Sequence, residues 1–226
     1  MVHVKICGLT TFEDALIAAG AGADLLGFNF YPPSPRYISP AACRQITDAL
    51  RDQLGSACPI LVGVFVNAPD VAAIMAQAGV DVAQLHGDEP PEAVTALAGR
   101  VFKAIRPRSV KALEELVAAY ALYGANDERL PSLLVDAHHP DLYGGTGQQT
   151  SLSIALTARA RVPRLMLAGG LTPDNVAAQI RAVRPWGVDV ASGVEGTQKG
   201  RKDPAAIRAF MAAVKTAGSR RPGNGP

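Results

Sequence analysis

The chain has 226 residues, 48% of them hydrophobic and 19% charged, which is enough apolar material for one sizeable core. Its net charge of +2 comes with no basic stripe, so nothing marks a nucleic-acid surface, and no apolar run approaches the roughly 18–20 residues of a membrane-spanning helix. Met1-Val2-His3-Val4-Lys5-Ile6 reads as a strand and not as a signal peptide, so Cys7, Cys43 and Cys58, odd in number and at no metal-like spacing, are expected to be reduced thiols of a cytoplasmic protein.

Short β-branched runs alternate with longer, alanine-rich amphipathic segments along the whole chain. Strands are expected at Val2–Cys7, Leu25–Phe30, Ile60–Val66, Val82–Leu85, Val101–Ile105, Leu133–Asp136, Arg164–Ala168 and Val188–Ala191. Helices are expected between and after them, at Phe12–Ala19, Pro40–Leu54, Val71–Ala78, Pro91–Leu97, Val110–Tyr123, Ser153–Arg161, Asp174–Arg184 and Pro204–Thr216. Thr10/Thr11, Ser39-Pro40, Thr172-Pro173 and Asp203-Pro204 supply N-caps or first-turn prolines. Gly20, Gly79 and Gly99 stand where left-handed C-terminal residues are needed.

Eight strands alternating with eight helices in this length predict a single closed (β/α)8 TIM barrel of the phosphate-binding type over residues 1–217, with Gly218–Pro226 as a disordered tail. An open doubly wound sheet would carry a glycine-rich dinucleotide turn after its first strand, and Gly8-Leu9-Thr10-Thr11 is not one. In such a barrel the chemistry sits where strands end and βα loops begin. The residues at those ends include Cys7, Asn29, Asn67, His86, Asp136, Gly169 and Ser192.

Three groups of residues stand out. Gly144-Gly145-Thr146-Gly147 falls in the sixth βα loop, Gly169-Gly170 in the seventh and Ser192-Gly193 in the eighth; glycines let the backbone bring N–H groups close to an anion, and the last two loops are the usual phosphate site of this fold. The alternative is that they only make tight turns. Cys7 and Asp136 end strands one and six, and period-2 alternation puts each on the face of its second neighbour, Lys5 and Leu134. If those faces point inward, a thiol and a carboxylate meet at the barrel mouth as a base and an acid; a small buried hydrophobe is the other reading of Cys7. Arg36, within Tyr31-Pro32-Pro33-Ser34-Pro35-Arg36-Tyr37, is a stiffened guanidinium suited to bidentate recognition of a carboxylate, or else a surface arginine on a turn. His138-His139 are adjacent on an expected loop and project differently, so a solvated or supporting role is expected in preference to a metal site.

Several stretches in order resemble the phosphoribosylanthranilate isomerase family along nearly the whole chain. They are Lys5-Ile6-Cys7-Gly8, Gly27-Phe28 through Ser34-Pro35-Arg36-Tyr37, Val62 through Asn67, and Gln84-Leu85-His86-Gly87-Asp88-Glu89. Asp136 with Gly144-Gly145-Thr146-Gly147, Leu167-Ala168-Gly169-Gly170-Leu171 and Ser192-Gly193-Val194-Glu195 follow. The resemblance implies the Amadori rearrangement of N-(5-phosphoribosyl)anthranilate in tryptophan biosynthesis, with a phosphosugar as the small-molecule partner, no metal or organic cofactor, and a monomer or homodimer. Asp136 matches the general acid and Cys7 the general base. Arg36 matches the residue that holds the anthranilate carboxylate. Gly145, Thr146, Gly147, Gly169, Gly170, Ser192 and Gly193 are the expected phosphate site, with Lys5 and His86 in supporting roles. Gln148 through Ser153 replace the family's aromatic and Asp-Trp residues, which leaves the packing of the sixth helix open. Lys199-Gly200-Arg201-Lys202-Asp203 lacks the family's Pro-Gly, so a looser turn is expected there.

Lys5 carries an expectation from strand geometry. Sharing a face with Cys7, it should lie inside the barrel with a carboxylate in salt-bridge reach, Asp136 or Asp189, and should lower the Cys7 pKa. The alternative is that it snorkels out of the lower barrel.

Overall fold

Nearly every strand residue of this chain is buried, whichever way its side chain points, as a parallel sheet wrapped in helices requires. The computed structural model describes residues 1–97, 99–120, 127–136 and 150–219. Its strands are β1 (His3–Cys7), β2 (Leu25–Asn29), β3 (Ile60–Phe65), β4 (Val82–Leu85), β5 (Val101–Ile105), β6 (Leu133–Val135), β7 (Leu165–Leu167) and β8 (Gly187–Val190). All neighbours pair in parallel, and β8 returns to β1 to close the barrel. The helices are α1 (Phe12–Ala21), α2 (Pro40–Leu54), α3 (Val71–Ala78), α4 (Pro91–Thr95), α5 (Val110–Tyr120), α6 (Leu152–Arg161), α7 (Val176–Val183) and α8 (Pro204–Ser219).

Local chemistry sets the helix ends. Thr11 and Ser39 accept from Asp14 N and Ala42 N, as their sequence positions predict, and Gly79 closes α3 in the left-handed conformation. Two expectations shift. Gly20 is absorbed into α1, and Gly22, at φ 98°, closes it two residues later. The start expected at Asp174, after Thr172-Pro173, moves to Val176, and the Asn175 side chain turns back on the loop before it: Oδ1 accepts from Thr172 N, and Nδ2 donates to the Gly170 carbonyl. That clamp ties the loop after β7 to the first turn of α7. At the other end of the chain α8 runs on through Gly218 to Ser219.

Alternation along the strands creates two apolar layers. Leu26, Phe28, Leu61, Phe65, Ala83, Val101 and Val188 face outward into the ring of helices. Leu25, Val62, Val82, Phe102, Leu134 and Met166 fill the barrel interior. The interior also takes Lys5, Gln84 and Asp189, all buried, and of these Gln84 and Asp189 line the cavity at the C-terminal mouth. In α6, Ile154, Ala155 and Ala158 pack inward while Leu152 and Leu156 are exposed, so the departure before it leaves the helix docked by its small residues.

Gly193, in a 3-10 turn (Ser192–Val194) after β8, lies against the loop after β7: a Cβ there would land on the carbonyl of Leu171. Backbone cannot swing aside as a side chain can. Gly193→Ala is therefore expected to lose about 1–3 kcal/mol of stability, read as a fall of roughly 5 °C in Tm by circular dichroism.

Candidate active site

The mouth of the barrel holds one cavity, lined among others by Cys7, Arg36, His86, Asp136, Gly169 and Ser192. With Val64 and Val66 at the end of β3, seven βα junctions contribute to one site, as the fold dictates. Gly145, Thr146 and Gly147, and His138-His139, lie outside the described residues.

Cys7 and Lys5 share the inner face of β1, as alternation predicts. Lys5 is wholly buried, and its Nζ donates to Asp189 Oδ1 at 3.0 Å. The pairing follows from register, because Lys5 and Asp189 are direct partners across β1 and β8. Gly27, the partner of Cys7 on β2, leaves room for the cluster; a Cβ there would stand 3.0 Å from both Cys7 Sγ and Lys5 Nζ. Burial acts to depress the Lys5 pKa, but Asp189 and Cys7 outweigh it and hold the ammonium above its ordinary value.

The Cys7 thiol behaves otherwise than its sequence position predicts. Burial pushes its pKa up, Lys5 pulls it down and Asp189 pushes it up again, and the net direction is upward. Lys5 does favour the thiolate, but desolvation of a buried sulfur anion dominates. The expected lowering is therefore corrected: the lysine moderates a rise and does not reverse it.

Asp136 follows β6 and is buried, with its backbone N–H donating to Ile105 O. His86 Nε2 lies 3.2 Å from its Oδ2, though not aligned as a hydrogen bond. On the other side of the ring, the Gln84 amide nitrogen is 3.0 Å from Nδ1. Gln84 and His86 lie two residues apart and line the same cavity.

The segment after His86 is fastened from below. Glu89 accepts from Asn67 N and Gly87 N and pairs with Lys103 Nζ at 3.0 Å. Lys103 also donates to the carbonyls of Leu85, Gly87 and Ala104, and Tyr120 donates to Glu89 O. Burial still takes the Lys103 pKa below its ordinary value despite Glu89. A charged pair inside a motif gave no sequence signal, because acidic and basic residues 14 apart read as two solvated surface charges.

Arg36 is buried and not a surface arginine. Its Nε and Nη2 donate to Glu195 Oε1 and Oε2 at 2.6 and 2.9 Å, a two-bond pair spanning 159 residues. Lys202, also buried, reaches the same carboxylate at 3.3 Å and donates to Ala191 O. Sequence reasoning places Glu195 and Lys202 in motifs but assigns them no partner. The turn between them, expected to be loose, is pinned. Gly200, at φ 83°, accepts from Thr10 Oγ1 and packs against Pro35 O, and Asp14 accepts from Lys202 N and Arg201 Nε.

Gly169 and Gly170 are left-handed, with φ of 93° and 59°. Glycine alone adopts two such residues in succession without steric cost, and the turn they make brings the end of β7 to the cavity rim beside Ser192.

Breaking the Lys5–Asp189 pair strands a buried charge. Lys5→Met is expected to cost about 3–5 kcal/mol in chemical denaturation, most of it recovered in Lys5→Met/Asp189→Asn. In that double variant, with Cys43→Ser and Cys58→Ser as background, the Cys7 thiol should still titrate at higher pH than in the same background alone. The pull of Lys5 on the thiol exceeds the push of Asp189. Ultraviolet thiolate absorbance against pH checks this, and an unchanged midpoint would refute the electrostatic coupling.

Residues 4–213 match the family model described as N-(5'-phosphoribosyl)anthranilate (PRA) isomerase. An N-(5'-phosphoribosyl)anthranilate isomerase of Trichlorobacter lovleyi is 44% identical over 219 residues, covering 96% of this chain and all of the relative. One from Geobacter sulfurreducens is 43% identical over 95% of this chain and 99% of its own. Among solved structures, the phosphoribosyl anthranilate isomerase of Thermotoga maritima superposes with a TM-score of 0.82 at 37% identity, covering 96% of this chain and 100% of that one. Another phosphoribosyl anthranilate isomerase, in complex with reduced 1-(o-carboxyphenylamino)-1-deoxyribulose 5-phosphate, superposes with a TM-score of 0.79 at 36% identity over the same shares. With the family model spanning most of the chain and relatives above 40% identity along nearly its full length, the chain belongs to the N-(5'-phosphoribosyl)anthranilate isomerase family.

Proposed function

We propose that this chain rearranges N-(5-phosphoribosyl)anthranilate to 1-(2-carboxyphenylamino)-1-deoxyribulose 5-phosphate, the isomerase step of tryptophan biosynthesis, by general acid–base catalysis. The observation that carries the reading is the placement of Cys7 and Asp136, three strands apart round one barrel mouth, in a single cavity with Arg36 and the β7 and β8 loops.

The acid acts first. Asp136 gives a proton to the furanose ring oxygen, the C1–O bond breaks, and nitrogen lone-pair donation leaves an iminium ion. The adjacent C–H then becomes acidic because its electrons can flow into the iminium. The Cys7 thiolate removes that proton and an enolamine forms, which tautomerises to the ketone. A thiolate of ordinary or raised pKa is a stronger base than one whose pKa is depressed, so the burial of Cys7 favours proton abstraction once the thiol is ionised. His86, beside Asp136, supports the acid.

Arg36 anchors the anthranilate carboxylate. The backbone of the β7 and β8 loops, at Gly169, Gly170, Ser192 and Gly193, takes the phosphate, with Gly145, Thr146 and Gly147 of the sixth loop as the third part of that site. Lys5 keeps the charge of the base within bounds.

Purified protein supplied with freshly generated phosphoribosylanthranilate should abolish its anthranilate fluorescence faster than the spontaneous decay. Cys7→Ser and Asp136→Asn should each lower kcat by about 10²-fold or more while product affinity is retained. Wild-type-like turnover in either variant would remove that residue from the chemistry. The acid limb of kcat/KM should report ionisation of the Cys7 thiol. Since the thiolate is the active form and its pKa is raised, the rate should climb as pH rises through and beyond the ordinary thiol range, and that limb should vanish in Cys7→Ser.

A further inference from the structure

The pairing of Arg36 with Glu195 raises a question that the reading of Arg36 leaves open: how can a guanidinium already holding one carboxylate hold another? A guanidinium offers five N–H groups in one plane, arranged along two edges. Glu195 occupies the side-on edge, Nε with Nη2, at 2.6 and 2.9 Å. The end-on edge, formed by Nη1 and the second hydrogen of Nη2, is left for another planar anion, and Arg36 lines the cavity beside Cys7.

Everything else about Arg36 keeps it still. Its backbone N–H donates to Ser34 Oγ at 3.1 Å, and its Cδ packs so closely over Gly8 that a Cβ there would collide with it. Glu195 is equally fixed, bridged to Lys202 by both backbone and side chain, with Lys202 Nζ capped in turn by the Ala191 carbonyl. Burial alone would push the Glu195 carboxyl up, but its bonds to Arg36 and the charges of Lys202 and Arg36 hold it below the usual range, so it is an anion at neutral pH. Arg36 and Lys202 share this one carboxylate. Two cationic side chains thus converge on a single anion, an arrangement that favours the approach of a second carboxylate.

We propose that Glu195 is a positioning residue for substrate selection: by gripping the side-on edge of Arg36 it turns the end-on edge toward the cavity, so that the enzyme selects an aromatic amine bearing an ortho-carboxylate. The inference rests on the reading of Arg36 as the carboxylate anchor and adds the group that aims it. A ligand without that carboxylate leaves the end-on edge of a buried guanidinium unpaired, and sites built for a polar group reject analogues that lack it.

The test compares two ligands by calorimetric titration. One is reduced 1-(o-carboxyphenylamino)-1-deoxyribulose 5-phosphate, and the other is its phenylamino counterpart without the carboxylate. The parent enzyme should prefer the carboxylated ligand by about a hundredfold. Glu195→Gln removes the charge, and Glu195→Asp keeps it but shortens the reach to the two nitrogens. Both should cut that preference roughly tenfold, with the carboxylate-free ligand bound within about twofold of the parent. Arg36→Met should abolish the preference, and Arg36→Met/Glu195→Gln should lose nothing more.

If Arg36→Met collapses the preference while both Glu195 variants retain it, Glu195 is only scaffold and the proposal fails. Equal weakening of both ligands in the Glu195 variants overturns it in the same way, because general damage would not distinguish the carboxylate. If Arg36→Met itself keeps the preference, the anchoring role of Arg36 fails first and the positioning role falls with it. Glu195→Asp preserves the buried charge, so the comparison survives even if Glu195→Gln does not fold.

Discussion

A fully buried ammonium inside the barrel constrains the rest of this structure. Lys5 has no route to water from inside a closed barrel, and an unpaired charge there would cost several kcal/mol. The molecule answers with Asp189, set opposite it by the β1–β8 register, so closing the barrel and neutralising the charge are one event. Gly27 on the other flank is the corresponding steric condition. Replacing such a pair with well-packed apolar residues often stabilises a protein, so its presence is better explained by the neighbouring thiol than by stability.

That thiol sits in a balance and not in a trap. Desolvation raises its pKa, and the ammonium two residues away limits the rise. In the proposed reaction that balance matters, because a base must ionise and still be strong enough to take the proton, and Lys5 acts on the thiol from inside the barrel.

Two further buried clusters repeat the device at other parts of the rim. Glu89 with Lys103 clamps the loop that follows His86, and Glu195 with Arg36 and Lys202 joins the loops after β2 and β8. The second is reinforced by Thr10 and Pro35 meeting Gly200. The loops after β1, β2 and β8 are thus fastened to one another beside a shared carboxylate. Loops placed this way carry recognition without the looseness that exposed loops usually have.

The sequence by itself determined the periodic part of this protein. Among the described residues, the eight expected strands and eight expected helices lie where β-branched runs and amphipathic segments predict, with ends displaced by few residues, because alternation and capping are local. The inward face of β1, and with it the burial of Lys5 beside Cys7, followed from period 2 alone. Tertiary structure decided what depends on distance through space. Which of two aspartates meets Lys5 was settled by strand register, and whether the thiol rises or falls by the desolvation that only packing sets. Glu195 reaching Arg36 across 159 residues was illegible for the same reason: a chain pattern records which face a side chain takes, but partners across a closed barrel are chosen by closure.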